Sequence, residues 1–292
     1  MVLGVVLAVL GLVVPDSAVH PTDLTLVKVR SATASTLDQD VVWILAVGSD
    51  ARPGQDMTRS RGDALQLIGM NTRTGAATAI GIPRDSYVSI PGQGRDKINA
   101  ALFLGGPQLM ARAVEDLVGI RADYVFVTRF KKFIAMADEI GPIRVDNPRA
   151  FADPNLKDDG FDRGRITLTG YDAMAFSRIR YNLPGGDFDR SANQQRTLRG
   201  IHERIRQRAS QRGFMESGVL SVLANMSTDG VSPADLFRLA HAVAAVRPER
   251  ITTCVVQGTI GTAGAASIVL PDRAQAARLG AEARRDATLE SC

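Results

Sequence analysis

The chain has 292 residues, 45% of them hydrophobic and 23% charged, which excludes wholesale disorder and allows one large domain or two small ones. Its net charge of +4 is mildly basic, and arginine supplies nearly all of it, because lysine occurs only at Lys28, Lys97, Lys131, Lys132 and Lys157. Arginine grips phosphate through a planar fork of donors, so anionic, phosphorylated partners suit this composition.

Residues 1–14 (MVLGVVLAVLGLVV) carry no polar side chain. As a helix they would span roughly 21 Å, short of the ~30 Å hydrocarbon core of a membrane. The stretch reads as a membrane anchor lacking its beginning, as an export segment, or as a buried core segment. Pro15 and Asp16 end it, and residues 15–40 read as a polar linker. A single domain is expected over 41–292, with its sheet extended by the C-terminal strands.

Residues 41–47 (VVWILAV) form a continuous apolar run, expected to be a buried strand ending near Asp50. Residues 64–70 and 76–82 suggest a strand pair around a turn at 71–75, and 87–90 a short strand closed by Pro91-Gly92. Pro107 opens a predicted helix over 108–118, with Leu109, Ala113 and Leu117 on one face and Gly119 as C-cap. A strand at 124–127, a helix at 130–140 and a strand at 143–145 follow. Residues 147–164 are rich in Pro, Asp and Gly and are expected to form an exposed loop. Helices are predicted at 171–176, at 192–211 and from Ser232-Pro233 to about 246, then strands at 251–256 and 267–270 and a helix at 272–285. Interleaved strands and helices point to an α/β fold, a mixed β-sheet sandwiched between helices. Cys254 and Cys292 fit no CxxC zinc site, and are a disulfide or two buried thiols. His20, His202 and His241 lie in no motif, so a histidine-based nucleophile has little support.

Chemistry concentrates between Asp50 and Gln195. Asp50 ends the first predicted strand and Asp63 precedes the second, so neighbouring strands would bring both carboxylates to one rim. Two carboxylates with room for water and phosphate suit Mg2+. Arg84 stands beyond a buried strand, and Lys97 follows a glycine-rich loop without the P-loop pattern. Arg178 and Arg180 are two apart and would share a face of an extended segment, whereas Arg190 and Gln194 are four apart on a helix. Converging arginines and acids without histidine favour pyrophosphate chemistry.

The motifs GSDAR, RGDAL, IPRDSYV, DKINAALFLGGP, LTGYDAMAFSRIR and GDFDRSANQQ occur in this order. Together they resemble the LytR-CpsA-Psr family of cell-envelope proteins over about residues 41–205. The resemblance implies an αβα sandwich on an N-terminal membrane tether. The expected activity is transfer of a glycopolymer from a polyprenyl-pyrophosphate carrier to peptidoglycan, through a phosphodiester. Asp50 and Asp63 would hold Mg2+. Arg61, Arg84, Lys97, Arg178, Arg180, Arg190 and Gln194 would contact the pyrophosphate, with Asp63, Arg84, Arg178 and Arg180 carrying the chemistry. Gly62 and Ala64 replace the Ser and Thr that often flank the family's second aspartate. The expected partners are the lipid-linked glycan, peptidoglycan and the membrane, with the catalytic domain outside the cytoplasm and no nucleic acid. A prenyl-pyrophosphate hydrolase is the runner-up, since the same site would serve. A nucleic-acid binder, suggested only by the basic stretch 196–212, and a non-catalytic glycan-binding protein rank lower.

Overall fold

The computed structural model describes residues 23–30, 40–209, 211, 214 and 226–292. The apolar stretch 1–14 lies outside them. In chain order the strands and helices are β1 (Leu24–Lys28), β2 (Val41–Ser49), β3 (Gly62–Asn71), β4 (Ala77–Gly81), β5 (Tyr87–Ile90), β6 (Gly94–Lys97), α1 (Ala100–Val118) and β7 (Tyr124–Arg129). Next come α2 (Phe130–Ile140), β8 (Ile143–Asn147), β9 (Phe151–Asp153), β10 (Lys157–Phe161), β11 (Gly164–Leu168), α3 (Gly170–Arg178) and α4 (Asp187–Arg208). The remainder is β12 (Ser227–Asp229), α5 (Pro233–Ala245), β13 (Ile251–Val255), β14 (Gly258–Ala263), β15 (Ala266–Pro271) and α6 (Arg273–Ala283).

A seven-stranded mixed sheet in the order β12-β1-β7-β2-β3-β4-β13 is the middle layer. Alternation along β3 decides its two faces. Leu65 and Leu67 turn toward α1 and α6, where they join Met110, Val114, Leu117, Ala276 and Leu279 in the largest apolar cluster. Each such fully buried leucine contributes roughly 1.5–3 kcal/mol. Gln66 turns the other way and meets α4, while Met70 packs with Leu239 and Ala242 of α5. The αβα arrangement expected from the sequence is the one present.

Contact between α4 and the sheet depends on Gly81, because a Cβ there would sit 2.5 Å from Ser191 Oγ. Ser232 caps α5 by accepting the N–H of Asp235, whose carboxylate answers the Ser232 N–H, as the Ser-Pro start predicts.

Several boundaries differ from the sequence reading. Residues 24–28, inside the stretch read as a linker, form β1 between β7 and β12, with Leu24 wholly buried. Five residues flanked by polar sequence are too short to announce a strand by periodicity. Residues 147–164, expected as a loop, contain the β9–β10 hairpin, whose Phe151 and Phe161 stack on Phe176 at 5.2–5.4 Å. Two aromatics separated by polar turns carry no period, so only tertiary packing reveals them. The helix expected from 108 begins at Ala100 instead, in two segments that meet at Gly106, whose φ of 69° interrupts the helix just before Pro107. Similarly, α4 starts at Asp187 rather than at residue 192, and its described end is Arg208, near the expected 211.

Candidate functional site

β2 and β3 are antiparallel neighbours, with Ser49 opposite Gly62 across an irregularity. Asp50 and Asp63 therefore stand at the same rim of the sheet, and the Asp50 N–H donates to the Arg61 carbonyl at 3.0 Å. The side chain of Asp63 is 91% buried. Arg84, just beyond β4, donates through Nη1 to Asp63 Oδ1, and Arg178 Nη2 lies 3.6 Å from Asp63 Oδ2. Asp85 gathers a second set of cations: Lys97 Nζ at 2.9 Å, Arg180 Nη1 at 3.8 Å and Arg84 Nε at 3.9 Å. Arg84 thus links both acids. Asp187 and Arg190 form a third, buried pair on the first turn of α4.

Arg178 and Arg180 reach this site by a route other than the expected extended segment. Arg178 is the last residue of α3, and the chain becomes extended only at Ile179. The helix aims Arg178 at Asp63 across the ring of Phe130, while Arg180 beyond it turns to Asp85. Arg190 and Gln194 do share a face of α4. Gln194 Oε1 accepts from Gln66 Nε2 at 3.1 Å, and its own amide donates to the Ser177 carbonyl at 3.2 Å. Arg61 is exposed at the outer edge, where its charge acts on Asp50.

The acids Asp50, Asp63, Asp85 and Asp187 face the cations Arg61, Arg84, Lys97, Arg178, Arg180 and Arg190, so the cradle keeps a positive surplus. Burial works against the Arg84 charge but is outweighed by Asp63, Asp85 and Asp187, which hold its pKa above the ordinary value. Arg190 goes the other way. Its burial, with the like charge of Arg84, outweighs Asp187 and draws its pKa down. Arg84 Nε and Asp187 Oδ2 are both buried without a hydrogen-bond partner among the described residues. Buried polar atoms left without a partner are suited to an incoming polar ligand.

Partial desolvation, then the negative charge of Asp63, raises the pKa of Asp50 despite Arg61 and Arg84. Like-charged carboxylates at one rim are what a divalent cation would relieve. Among the described residues, no group of three or more His, Cys, Asp and Glu gathers as an all-protein cage. Mg2+ needs no such cage, since one or two carboxylates, waters and substrate phosphate suffice. Asp50 and Asp63 fit that donor set.

Five participants escaped the sequence reading, among them Asp85, on which Lys97, Arg180 and Arg84 gather. Gln66, Asp187 and Ser191 belong to the polar floor, and Phe130 backs Arg178. Gln66 did leave a trace, as the polar residue inside the apolar run ALQLIGM.

The LytR_cpsA_psr family model matches residues 17–285. The polyisoprenyl-teichoic acid–peptidoglycan teichoic acid transferase TagU of Bacillus licheniformis is 33% identical over 175 residues, covering 60% of this chain and 55% of the relative. The chain thus spans about half the length of the curated relatives it matches there. The crystal structure of B. subtilis TagU superposes with a TM-score of 0.63 at 24% identity, over 87% of this chain and all of the other. The structure of YwtF (TagT) with bound octaprenyl pyrophosphate gives 0.64 at 22%, over 85% and 90%. At those identities the likeness is one of fold. With its six motifs in order on that fold, the chain belongs to the LytR-CpsA-Psr family.

Proposed function

We propose that this chain is a phosphotransferase that moves a glycopolymer from a polyprenyl-pyrophosphate carrier to peptidoglycan. The observation that carries the reading is the convergence of Arg84 and Arg178 on Asp63, with the buried Arg190–Asp187 pair brought within reach of the Arg84 charge from a third part of the chain. The TagU relative named above is a teichoic acid transferase to peptidoglycan, and the TagT structure holds a prenyl pyrophosphate. Both are consistent with a diphosphate in this cradle.

A hydroxyl oxygen of the acceptor attacks the phosphorus that bears the glycan. The bond from that phosphorus to the bridging oxygen breaks, and polyprenyl phosphate leaves with the electron pair. The hydroxyl proton passes to a carboxylate. Sequence reading gives Asp63 either the base or the metal-ligand role. Arg84 and Arg178 already engage its two oxygens, which disfavours the base role and keeps Asp63 as anchor of the arginines and metal ligand, while the more accessible Asp50 is placed to take the proton. Little covalent work falls to the protein, so positioning and charge stabilisation dominate. Arg84, Arg178 and Arg190 neutralise charge developing on the phosphoryl oxygens, and Lys97 and Arg180 extend the positive field toward the leaving phosphate. Bound at Asp50 and Asp63, Mg2+ would add electrostatic stabilisation of the same oxygens.

Peptidoglycan as acceptor places the catalytic domain outside the cytoplasmic membrane, in keeping with a disulfide between Cys254 and Cys292. A membrane tether would come from the apolar residues 1–14; no helix among the described residues is long and apolar enough to cross a membrane.

The test mixes the full-length protein, Mg2+, a prenyl-pyrophosphate-linked glycan and soluble peptidoglycan fragments. Mass spectrometry should find glycan joined to the fragment through one phosphate. Prenyl phosphate released without that product would assign a hydrolase instead.

A further inference from the structure

Helix α4 has a second working face. Successive helical residues point about 100° apart, so Asp187 and Arg190 serve the cradle while Phe188 and Asp189 turn to the other side. There, Phe188, Asp189, Arg196 and Arg199 form one wall of a cleft of about 460 Å³. Thr253, Gln257 and the Cys254–Cys292 disulfide form the opposite wall. This volume lies within the range of small-molecule sites, roughly 300–1,000 Å³.

The cleft is held open by fixed contacts. Gln195 Nε2 donates to the carbonyls of Cys254 at 2.8 Å and Ala79 at 3.1 Å, tying α4 to the two outermost strands on that side. Asp189 accepts the Gly185 N–H at 2.9 Å, fixing the turn that separates cleft from cradle. Arg196 is half-buried, with Nη1 donating to Asn193 at 2.8 Å, and Arg199 is exposed beside Glu203 at 3.3 Å. A preformed cleft loses little ordering entropy on binding.

Its chemistry is that of a saccharide carrying a carboxylate. A half-buried aromatic ring packs on the apolar face of a pyranose. Gln257, Thr253 and Asp189 offer hydrogen bonds to hydroxyl and amide groups, and two guanidinium groups match a carboxylate. We propose that this cleft is the acceptor subsite, holding a peptidoglycan sugar with the carboxylates of its attached peptide toward Arg196 and Arg199, and presenting a hydroxyl of that sugar around the first turn of α4 to the cradle. The assignment rests on the transfer reading above.

The experiment uses the full-length protein, the lipid-linked donor and soluble peptidoglycan fragments. In the double variant Arg196→Ala/Arg199→Ala, KM for the fragment should rise about tenfold or more while KM for the donor moves less than about twofold. Gln257→Ala, in the opposite wall, should shift KM the same way without touching α4. Calorimetric titration of the fragment alone should show matching losses of affinity, independent of turnover. Fragment binding that ignores both variants would overturn the assignment, as would a rise in donor KM, which would give the cleft to the donor glycan. Should the wild type bind fragments through these residues yet consume no donor, the transfer reading falls and the binding site stands.

Discussion

The guanidinium of Arg178 lies 4.1 Å above the centre of the Phe130 ring while its Nη2 points at Asp63. The ring closes one side of the arginine, so the side chain loses little freedom when a phosphate arrives. Phe130→Leu keeps the apolar bulk but removes the π face, a contact of about 1 kcal/mol. The expected loss is about fivefold in kcat/KM for the donor, with melting temperature little altered. An unaffected kcat/KM would mean that Phe130 does not orient Arg178.

Arg84 links Asp63 to Asp85 and is central to the cradle. Arg84→Ala should lower turnover by about 10² or more, the scale of losing a preorganised donor to developing charge. Arg84→Lys should recover only part of this, because an ammonium cannot span two acids with a planar fork. Single-turnover assays at saturating donor separate this loss from weakened binding. Wild-type turnover in Arg84→Ala would remove the residue from the mechanism.

Asp50 is drawn above the ordinary carboxylate range, first by partial desolvation and then by Asp63. A raised pKa means that Asp50 takes up its proton at a higher pH than an isolated aspartate does. The ionised form is the one that accepts a proton or holds a cation. Activity should therefore be full well above that pKa and decline as the pH falls through it, and saturating Mg2+, which favours the ionised form, should move the decline to lower pH. Asp50→Asn should lower the plateau and abolish that acidic limb. A limb that persists in the variant belongs to another group.

Toward the other end of the strands from the cradle, Asp235 accepts hydrogen bonds from Tyr124 at 2.6 Å and Lys28 at 3.0 Å and closes the cap of α5. Burial alone would raise its pKa, but the bonds from Tyr124, Ser232 and Lys28 outweigh burial and push it well below the carboxylate range. A depressed carboxylate gives stability that is complete above the unfolded-state value, about 3.9, and is lost as the pH drops toward the folded value. Asp235→Asn should cost about 1–3 kcal/mol at neutral pH in urea unfolding. The gap from wild type should narrow as the pH falls below about 4.

Cys254 and Cys292 close a loop with a sequence separation of 38. Chain-entropy reasoning puts the stabilisation near 4 kcal/mol, an upper figure where the unfolded chain keeps structure. Cys292→Ser should lower the unfolding midpoint accordingly and loosen the cleft wall beside Gln257. Unchanged stability would show that the C-terminus docks without its covalent bond.

The charged constellation was legible because it resides in residue types and motif order. Asp50, Asp63, Arg84 and Arg190 stand in short segments whose local partners, a strand end or a helical turn, are set by neighbours in the chain. The main apolar runs announced β2, β3 and β4, since a strand buried between layers must be apolar nearly throughout. By contrast, the strand at residues 24–28 and the Phe151–Phe161 hairpin exist because distant elements cover them, β7 and β12 in one case and Phe176 in the other. Neither leaves a periodic trace.

Sequence by itself determined which charged groups were available and set Asp50 and Asp63 at strand ends, whereas the antiparallel pairing of β2 with β3, which brings the two acids to one rim, came from the fold. Only the tertiary structure decided which acid each cation would face. It assigned Arg178 to Asp63, Lys97 and Arg180 to Asp85, and Arg190 to Asp187. It likewise joined Cys254 to Cys292 and opened a cleft behind α4. The reason is physical: a side chain's type is local, but the partner that neutralises a buried charge arrives from wherever the chain packs.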